Sequence, residues 1–232
     1  MATISPGLAS VVLVHGAFVD GSGWQAVHDL LVSDGHEVLV VQNPTITLEG
    51  DADATRRAIA AASNPVILVG HSYGGAVITA AGNGEKVRSL VYVAAYAPDA
   101  GESVETLVSR PLPPGTPAAP VLPPEDGFLT LDKDRFPSAF AADVDPARTR
   151  FMANAQVPWG LGAFSGKIAE PAWKTKPVFH LLTSDDLMVP PALQREMAQR
   201  ASATITEVAA SHAVMISQPE AVVQCIRNAM AV

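Results

Sequence analysis

Ser72 lies in the run Gly70-His71-Ser72-Tyr73-Gly74, directly behind the apolar stretch Pro65-Val66-Ile67-Leu68-Val69. A serine on a sharp turn between a buried strand and a helix is lifted clear of the sheet. Glycines two residues to either side then leave room for the neighbouring strand and helix. At the positive end of that helix the hydroxyl is a nucleophile candidate. A serine hydroxyl is a poor nucleophile near neutral pH. It needs a base within hydrogen-bond reach, and the base needs a third group to hold its tautomer. The chemistry of such a set is acyl transfer.

With a nucleophile on this kind of turn, the expected chain order is serine, acid, histidine. The acid candidates follow the apolar run Val178-Phe179-His180-Leu181-Leu182, in the loop Thr183-Ser184-Asp185-Asp186-Leu187-Met188-Val189-Pro190. Asp186 is preferred, with Asp185 as the alternative and Asp99, after Ala95-Tyr96-Ala97-Pro98, as the fallback. Each of these aspartates also reads as an ordinary turn or helix-cap residue. The base candidate is His212, just after the last apolar run. The other five of the six histidines have plainer readings. His28 and His36 fall at surface or helix-end positions, His180 lies inside a strand, and His71 packs beneath the nucleophile. His15 opens a further motif.

Acyl transfer develops a negative oxygen, and two backbone N–H groups must already point at it. One is that of Tyr73, the residue after the nucleophile. The second is expected from His15-Gly16-Ala17-Phe18, the loop leaving the first strand, with Ala17 the preferred donor over Gly16 and Phe18. The Phe18 side chain could then floor the pocket.

These residues need a scaffold that brings strand ends together. Short apolar runs at 11–14, 37–41, 66–69, 89–94, 178–182 and 205–208 alternate with helical patterns at 24–33, 51–62, 75–81, 191–200 and 219–230. Continuous apolar strands separated by helices predict a parallel sheet of about six strands covered on both faces. Ligands of such sheets bind outside the carboxyl ends of the strands, where Ser72 falls.

Residues 98–177 break this rhythm, leaving 1–97 and 178–232 as the core. Seven prolines (111, 113, 114, 117, 120, 123 and 124) rule out a helix interior or a central strand there. Short helical pieces are expected at 134–142 and 146–154. An insertion this long inside a compact domain is usually functional, and we read it as a lid over the strand ends. Phe151, Met152, Trp159, Leu161 and Phe164 look too apolar to be left in water, and Trp159 and Phe164 are candidate substrate-binding wall residues.

Composition narrows the function classes. With 48 % hydrophobic and 16 % charged residues in 232, the chain suits one globular domain rather than a disordered one. A net charge of −8 and no basic stripe argue against nucleic acid as a partner. No apolar stretch is long enough to span a membrane, and Met1 to Ser10 lacks the regions of a signal peptide. The single cysteine, Cys225, precludes an internal disulfide and reads as a small buried apolar residue, which makes a cytoplasmic location the default.

Together these motifs resemble the α/β-hydrolase family from Val11 to Met230. Gly21-Ser22-Gly23-Trp24, Gly35-His36-Glu37-Val38 and Ser211-His212-Ala213-Val214-Met215 look like its compact branch of plant methylesterases, the salicylic-acid-binding esterase, hydroxynitrile lyases and bacterial carboxylesterases. The resemblance implies a carboxylesterase with a Ser72-His212-Asp186 triad that needs no metal or organic cofactor. The lyases of this branch carry a lysine after the catalytic histidine and a threonine after the first motif histidine. Here those positions hold Ala213 and Gly16, which argues against cyanohydrin cleavage. The expected substrate is a small to medium ester with an apolar part. Few basic residues lie near the motifs, which disfavours strongly anionic substrates. The same triad could open a lactone, an amide or a C–C bond or perform perhydrolysis, and some members of the fold resemble hormone receptors that bind a ligand and turn over slowly. The sequence leaves a homodimer open.

Overall fold

The computed structural model describes residues 9–111 and 115–232. Most of the signal-peptide reading, and Pro113 and Pro114, therefore fall outside the described residues. The chain runs β1 (Ser10–Val14), α1 (Gln25–Ser33), β2 (Glu37–Val41), α2 (Leu48–Ala61), β3 (Val66–His71), α3 (Gly74–Ala81) and β4 (Val87–Val93). It continues with α4 (Val104–Val108), β5 (Phe128–Leu129), α5 (Phe136–Phe140), α6 (Pro146–Asn154), β6 (Trp159–Gly160) and α7 (Leu161–Phe164). The last part is β7 (Val178–Thr183), α8 (Pro191–Arg200), β8 (Thr204–Val208), α9 (Val214–Ser217) and α10 (Pro219–Met230).

Six strands form one sheet in the order β2-β1-β3-β4-β7-β8, and every pair in it is parallel. This is the architecture the alternation of apolar runs and helical patterns predicts. Side chains along a strand point alternately to opposite faces, and the core divides accordingly. Val12, Val14, Leu68 and Tyr92 pack on one face with Ile59 of α2, Val77 of α3 and Met197 of α8. Val11, Leu13, Val69 and Val93 pack on the other with Leu31 of α1 and Ile226 of α10. Cys225 is buried in this second cluster. Among the described residues no helix is long and apolar enough to cross a membrane.

Several boundaries differ from the sequence expectation. Helix α2 begins at Leu48, because the Thr47 side chain accepts the Gly50 N–H and caps it there. The expected 134–142 helix shrinks to Phe136–Phe140. Its start is displaced because the Asp132 carboxylate accepts from the Asp134 and Arg135 N–H groups and closes a turn instead. Residues 98–177 are not free of strand: Phe128–Leu129 and Trp159–Gly160 pair antiparallel. Trp159 and Ala163 of this segment are buried with the first core cluster and Phe164 packs against it, but Phe151 is 71 % and Leu161 38 % exposed. The expectation that all its large apolar side chains leave water fails at those two.

His180, in the middle of β7, is buried with neither ring nitrogen hydrogen-bonded among the described residues, and its ring stacks on Tyr92 at 5.7 Å. Burial lowers its pKa to about 3. The unfolded chain therefore binds a proton near pH 6.5 that the folded chain refuses, so stability falls as pH drops from about 6.5 towards 3. One such group contributes on the order of 1.4 kcal/mol per pH unit in that window. Replacing it with leucine, His180→Leu, removes this contribution. Thermal melts of the two proteins should diverge on acidification, with the variant's Tm advantage larger at pH 4.5 than at pH 7.5. A pH-independent difference would contradict the reading.

Candidate active site

The elbow around Ser72 is built as its residues require. Ser72 has φ +54°, a left-handed conformation that costs a non-glycine residue on the order of 1–3 kcal/mol. The backbone holds it there. Ser72 N–H donates to Val93 O at 3.2 Å, and its carbonyl accepts from Gly75 N–H at 2.9 Å and Tyr96 N–H at 3.1 Å. A Cβ on Gly70 would lie 2.4 Å from Gly74 O, and one on Gly74 would lie 2.6 Å from Val14 O. Only glycine lets the strand, the turn and α3 approach this closely.

The His15-Gly16-Ala17 loop crosses directly over this turn. A Cβ on Gly16 would stand 2.7 Å from Ser72 Cβ and 3.1 Å from His71 O. His15 fixes the loop. Its Nε2 accepts from Asn43 N–H at 2.9 Å, its Nδ1 is 2.8 Å from Gly16 O, and Asn43 Nδ2 donates to the His15 carbonyl at 2.9 Å. Burial lowers the His15 pKa, keeping the ring neutral and able to do both. Gly16→Ala should push the loop off the serine by several tenths of an ångström. A displacement of about 1 Å can cost about 10²-fold, so this smaller shift should lower kcat/KM by less than that, measurable by steady-state kinetics on a simple ester. Unchanged kinetics in a folded variant would mean that the loop is not positioned by this contact.

Asp186 and His212 come together from two strand ends. Asp186 follows β7 and His212 follows β8, and His212 Nδ1 lies 2.8 Å from Asp186 Oδ2. Both are buried. Asp186 Oδ1 accepts from the N–H groups of Met188 at 2.7 Å and Val189 at 2.9 Å, while Oδ2 also accepts from Thr183 Oγ1 at 3.0 Å and Gln194 Nε2 at 2.9 Å. A carboxylate with so many donors is fixed in position. Asp185 points to solvent, and Asp99 pairs with Lys174 at 2.5 Å, away from His212.

The His212 loop is clamped from three sides. His71 Nε2 donates to the His212 carbonyl at 2.9 Å, and burial holds that imidazole well below its usual range, hence neutral. The Phe140 ring meets His212 edge-on at 4.7 Å. Asp143 accepts from Ser211 N–H at 3.0 Å and from the Ser211 hydroxyl. His212 Nε2 has no hydrogen-bond partner among the described residues. The ring edge opposite Asp186 is thus uncommitted.

Ser72 opens on a cavity of about 370 Å³ whose wall includes Ala17, Phe18, Tyr73, Trp159 and Phe164. His212 does not line it. The Ala17 and Tyr73 amides donate to no group among the described residues. Trp159 sits 5.6 Å from Phe18, 5.1 Å from Tyr73 and 5.0 Å from Phe164, so the three expected wall residues form one aromatic cluster. Further parts of the wall come from the proline-rich stretch (Pro117, Ala119, Val121), from Tyr96, Val108 and Leu129, and from Met188, Val189, Pro190 and Leu193 after Asp186. A wider hollow of about 990 Å³ lies elsewhere, around Arg56, Lys86 and Lys167, and contains none of these groups.

One set of contacts is illegible in the sequence. The Tyr73 hydroxyl donates to Asp51 Oδ2 at 2.6 Å, and Asp51 Oδ1 accepts from Thr45 N–H at 2.7 Å. Thr45 in turn accepts the Gly160 N–H at 2.7 Å and donates its hydroxyl to Pro158 O at 3.1 Å. The side chain of the residue after Ser72 is thereby tied to the strand that carries Trp159. Burial raises the Asp51 pKa, against the lowering effect of the Tyr73 and Thr45 donors. Asp51 reads in the sequence only as an acid in the first turn of a helix.

Residues 11–225 match the alpha/beta hydrolase family. The chain belongs to that family. It is 28 % identical over 244 residues to the alpha/beta hydrolase nvfD of Aspergillus novofumigatus, with 95 % of this chain and 96 % of that one covered. It is 37 % identical over 121 residues to a carbendazim hydrolyzing esterase of Nocardioides sp., across 46 % of this chain and 50 % of that one. The structure of a pyrethroid hydrolase from Sphingobium faniae superposes with a TM-score of 0.82 at 25 % identity, covering 97 % of this chain and 98 % of that one. The chain is an α/β hydrolase of the carboxylesterase type, as its motifs imply.

Proposed function

We propose that this hydrolase cleaves a carboxylic ester through an acyl-enzyme formed on Ser72, with His212 as base and then acid, and Asp186 holding His212. The observation that carries the reading is the pairing of Asp186 with His212 Nδ1 while Nε2 stays uncommitted, beside a serine held at a left-handed turn. A proton on Nδ1, donated to Asp186, leaves the Nε2 lone pair to take the Ser72 proton once the serine rotamer swings towards it. As Ser72 Oγ bonds to the carbonyl carbon, the C=O π pair moves to the carbonyl oxygen, and the oxyanion so formed is met by the Ala17 and Tyr73 N–H groups. Collapse of the tetrahedral species expels the alcohol, which takes its proton from His212. Water, deprotonated by the same histidine, then releases the acid.

Residues 98–177 act as the lid of this site: Trp159, Phe164 and the 117–121 stretch close the cavity over Ser72. The aromatic wall favours an apolar substrate of small to medium size. The relatives support ester hydrolysis by the names esterase and hydrolase that they bear. The single cysteine is consistent with a cytoplasmic site of action. Stopped-flow hydrolysis of p-nitrophenyl acetate tests the proposal. With this activated aryl ester, acylation should outrun deacylation, so a burst of p-nitrophenol approaching one per chain should precede the steady state as the acyl-enzyme accumulates. Absence of turnover on this ester and on a panel of methyl and aryl esters would overturn it.

A further inference from the structure

Phe18 borders two cavities at once. One is the 370 Å³ cavity over Ser72, and the other is a more open chamber of about 310 Å³ whose apolar side includes Phe151, Met152, Ala155, Met215 and Ile216 and whose polar side is Asp20, Ser22, Gln25 and Arg148. Among the described residues no other lines both. Its side chain is 4 % exposed and its φ is +66°, so a left-handed backbone turns this one ring between the two spaces. The Phe18 carbonyl is anchored by Val157 N–H at 3.3 Å, which leaves the side-chain torsions as the means of moving the ring.

The second chamber explains two features that the catalytic set does not. Phe151 is 71 % exposed, well above Phe128 at 36 % and the buried Phe136, Phe140 and Trp159 of the same segment, and it lines this chamber. Met152, Met215 and Ile216 give the chamber two flexible thioethers and an aliphatic wall, which adapt to varied apolar shapes. Its position in the chain also assigns its occupant. Met215 and Ile216 follow His212 by three and four residues in α9. In the mechanism above, the leaving oxygen must face His212 to receive its proton, so the group on that oxygen runs to the His212 side.

We propose that Phe18 is a movable partition, and that the chamber behind it receives the apolar distal part of the ester's alcohol. This rests on the ester-hydrolase reading and specifies its substrate class: esters of long apolar or aryl-alkyl alcohols, accepted when the ring swings aside.

The experiment compares kcat/KM for 4-phenylbutyl acetate, methyl acetate and methyl 4-phenylbutanoate in wild type, Phe18→Ala, Phe18→Leu and Ala155→Trp. Turnover of methyl acetate by wild type tests the ester reading separately. The ratio of 4-phenylbutyl acetate to methyl acetate tests the partition. Filling or emptying a hydrophobic pocket by a few methylenes shifts such ratios by about tenfold or more. Phe18→Ala should raise the long-alcohol ratio by about tenfold, and Phe18→Leu should raise it less. Ala155→Trp, an exposed position on the chamber rim, should lower it and should cancel the gain when combined with Phe18→Ala. An unchanged ratio in both Phe18 variants overturns the proposal. So does a gain that survives Ala155→Trp, or a gain on the acyl-side ester in place of the alcohol-side one. If Phe18→Ala fails to fold, Phe18→Leu and Ala155→Trp alone still decide it.

Discussion

Ser72→Ala is expected to lower kcat for p-nitrophenyl acetate by about 10⁴-fold or more. The substitution keeps the Cβ and the backbone, so the left-handed turn and its hydrogen bonds to Val93, Gly75 and Tyr96 persist. What disappears is the only nucleophile on the turn. His212 could still activate a water, and the Ala17 and Tyr73 amides could still meet an oxyanion. A residual rate above the uncatalysed one is therefore expected, as these parts act without a covalent intermediate. The melting temperature should stay close to that of wild type, which separates loss of chemistry from loss of fold. A variant that retains near wild-type turnover would remove Ser72 from the mechanism.

Asp186→Asn should be nearly as damaging to activity, and it should also cost stability. Each Asp186 oxygen is already an acceptor. Met188 and Val189 N–H groups converge on one, and Thr183, Gln194 and His212 groups on the other. An asparagine must turn an NH₂ group towards one of these sets, placing donor against donor in a buried site. If the amide nitrogen faces His212, the imidazole adopts the tautomer with its proton on Nε2 and can no longer accept from Ser72. The analogous change in a well-studied serine protease triad lowers kcat by about 10⁴, and a loss of similar order is expected here. If it faces Met188 and Val189, two buried amides lose their acceptor, at about 1–3 kcal/mol each. An amide nitrogen facing His212 also meets the Thr183 and Gln194 donors, so kinetics and chemical denaturation on one preparation should show both losses in that orientation and the stability loss alone in the other. Full activity with unaltered stability would exclude Asp186 as the group that orients His212.

The sheet was readable because its central strands β1 and β3 are continuous apolar runs buried on both faces, whereas the edge strand β8, Thr204-Ile205-Thr206-Glu207-Val208, is half-exposed and mixed. The grouping of Asp186 with His212 was readable for a related reason. In a parallel sheet the loops after successive strands lie at one edge, so residues far apart in sequence share an end of the sheet. The exposed Phe151 was misread because residue type reports hydrophobicity, not which cavity a side chain faces. Asp51 and Asp143 were missed because an aspartate near a helix start carries the sequence signature of a cap. Asp145 is such a cap, accepting from Ala147 and Arg148 N–H groups, whereas Asp143, two residues earlier, reaches Ser211 across 68 positions of chain. Gln194 looks like any polar helix residue until the fold brings it against Thr183, Asp186 and Val189. Local pattern specifies strands and turns, but it does not show which polar side chain a long-range contact will recruit.

The central claim is that Ser72 is the nucleophile, and covalent labelling tests it most directly. Wild-type protein treated with an alkyl fluorophosphonate and analysed by intact and peptide mass spectrometry should gain one adduct. That adduct should map to the peptide carrying Ser72, with inactivation proportional to its occupancy, and Ser72→Ala protein should gain none. An adduct on a different residue, or full esterase activity with Ser72 fully modified, would contradict the account.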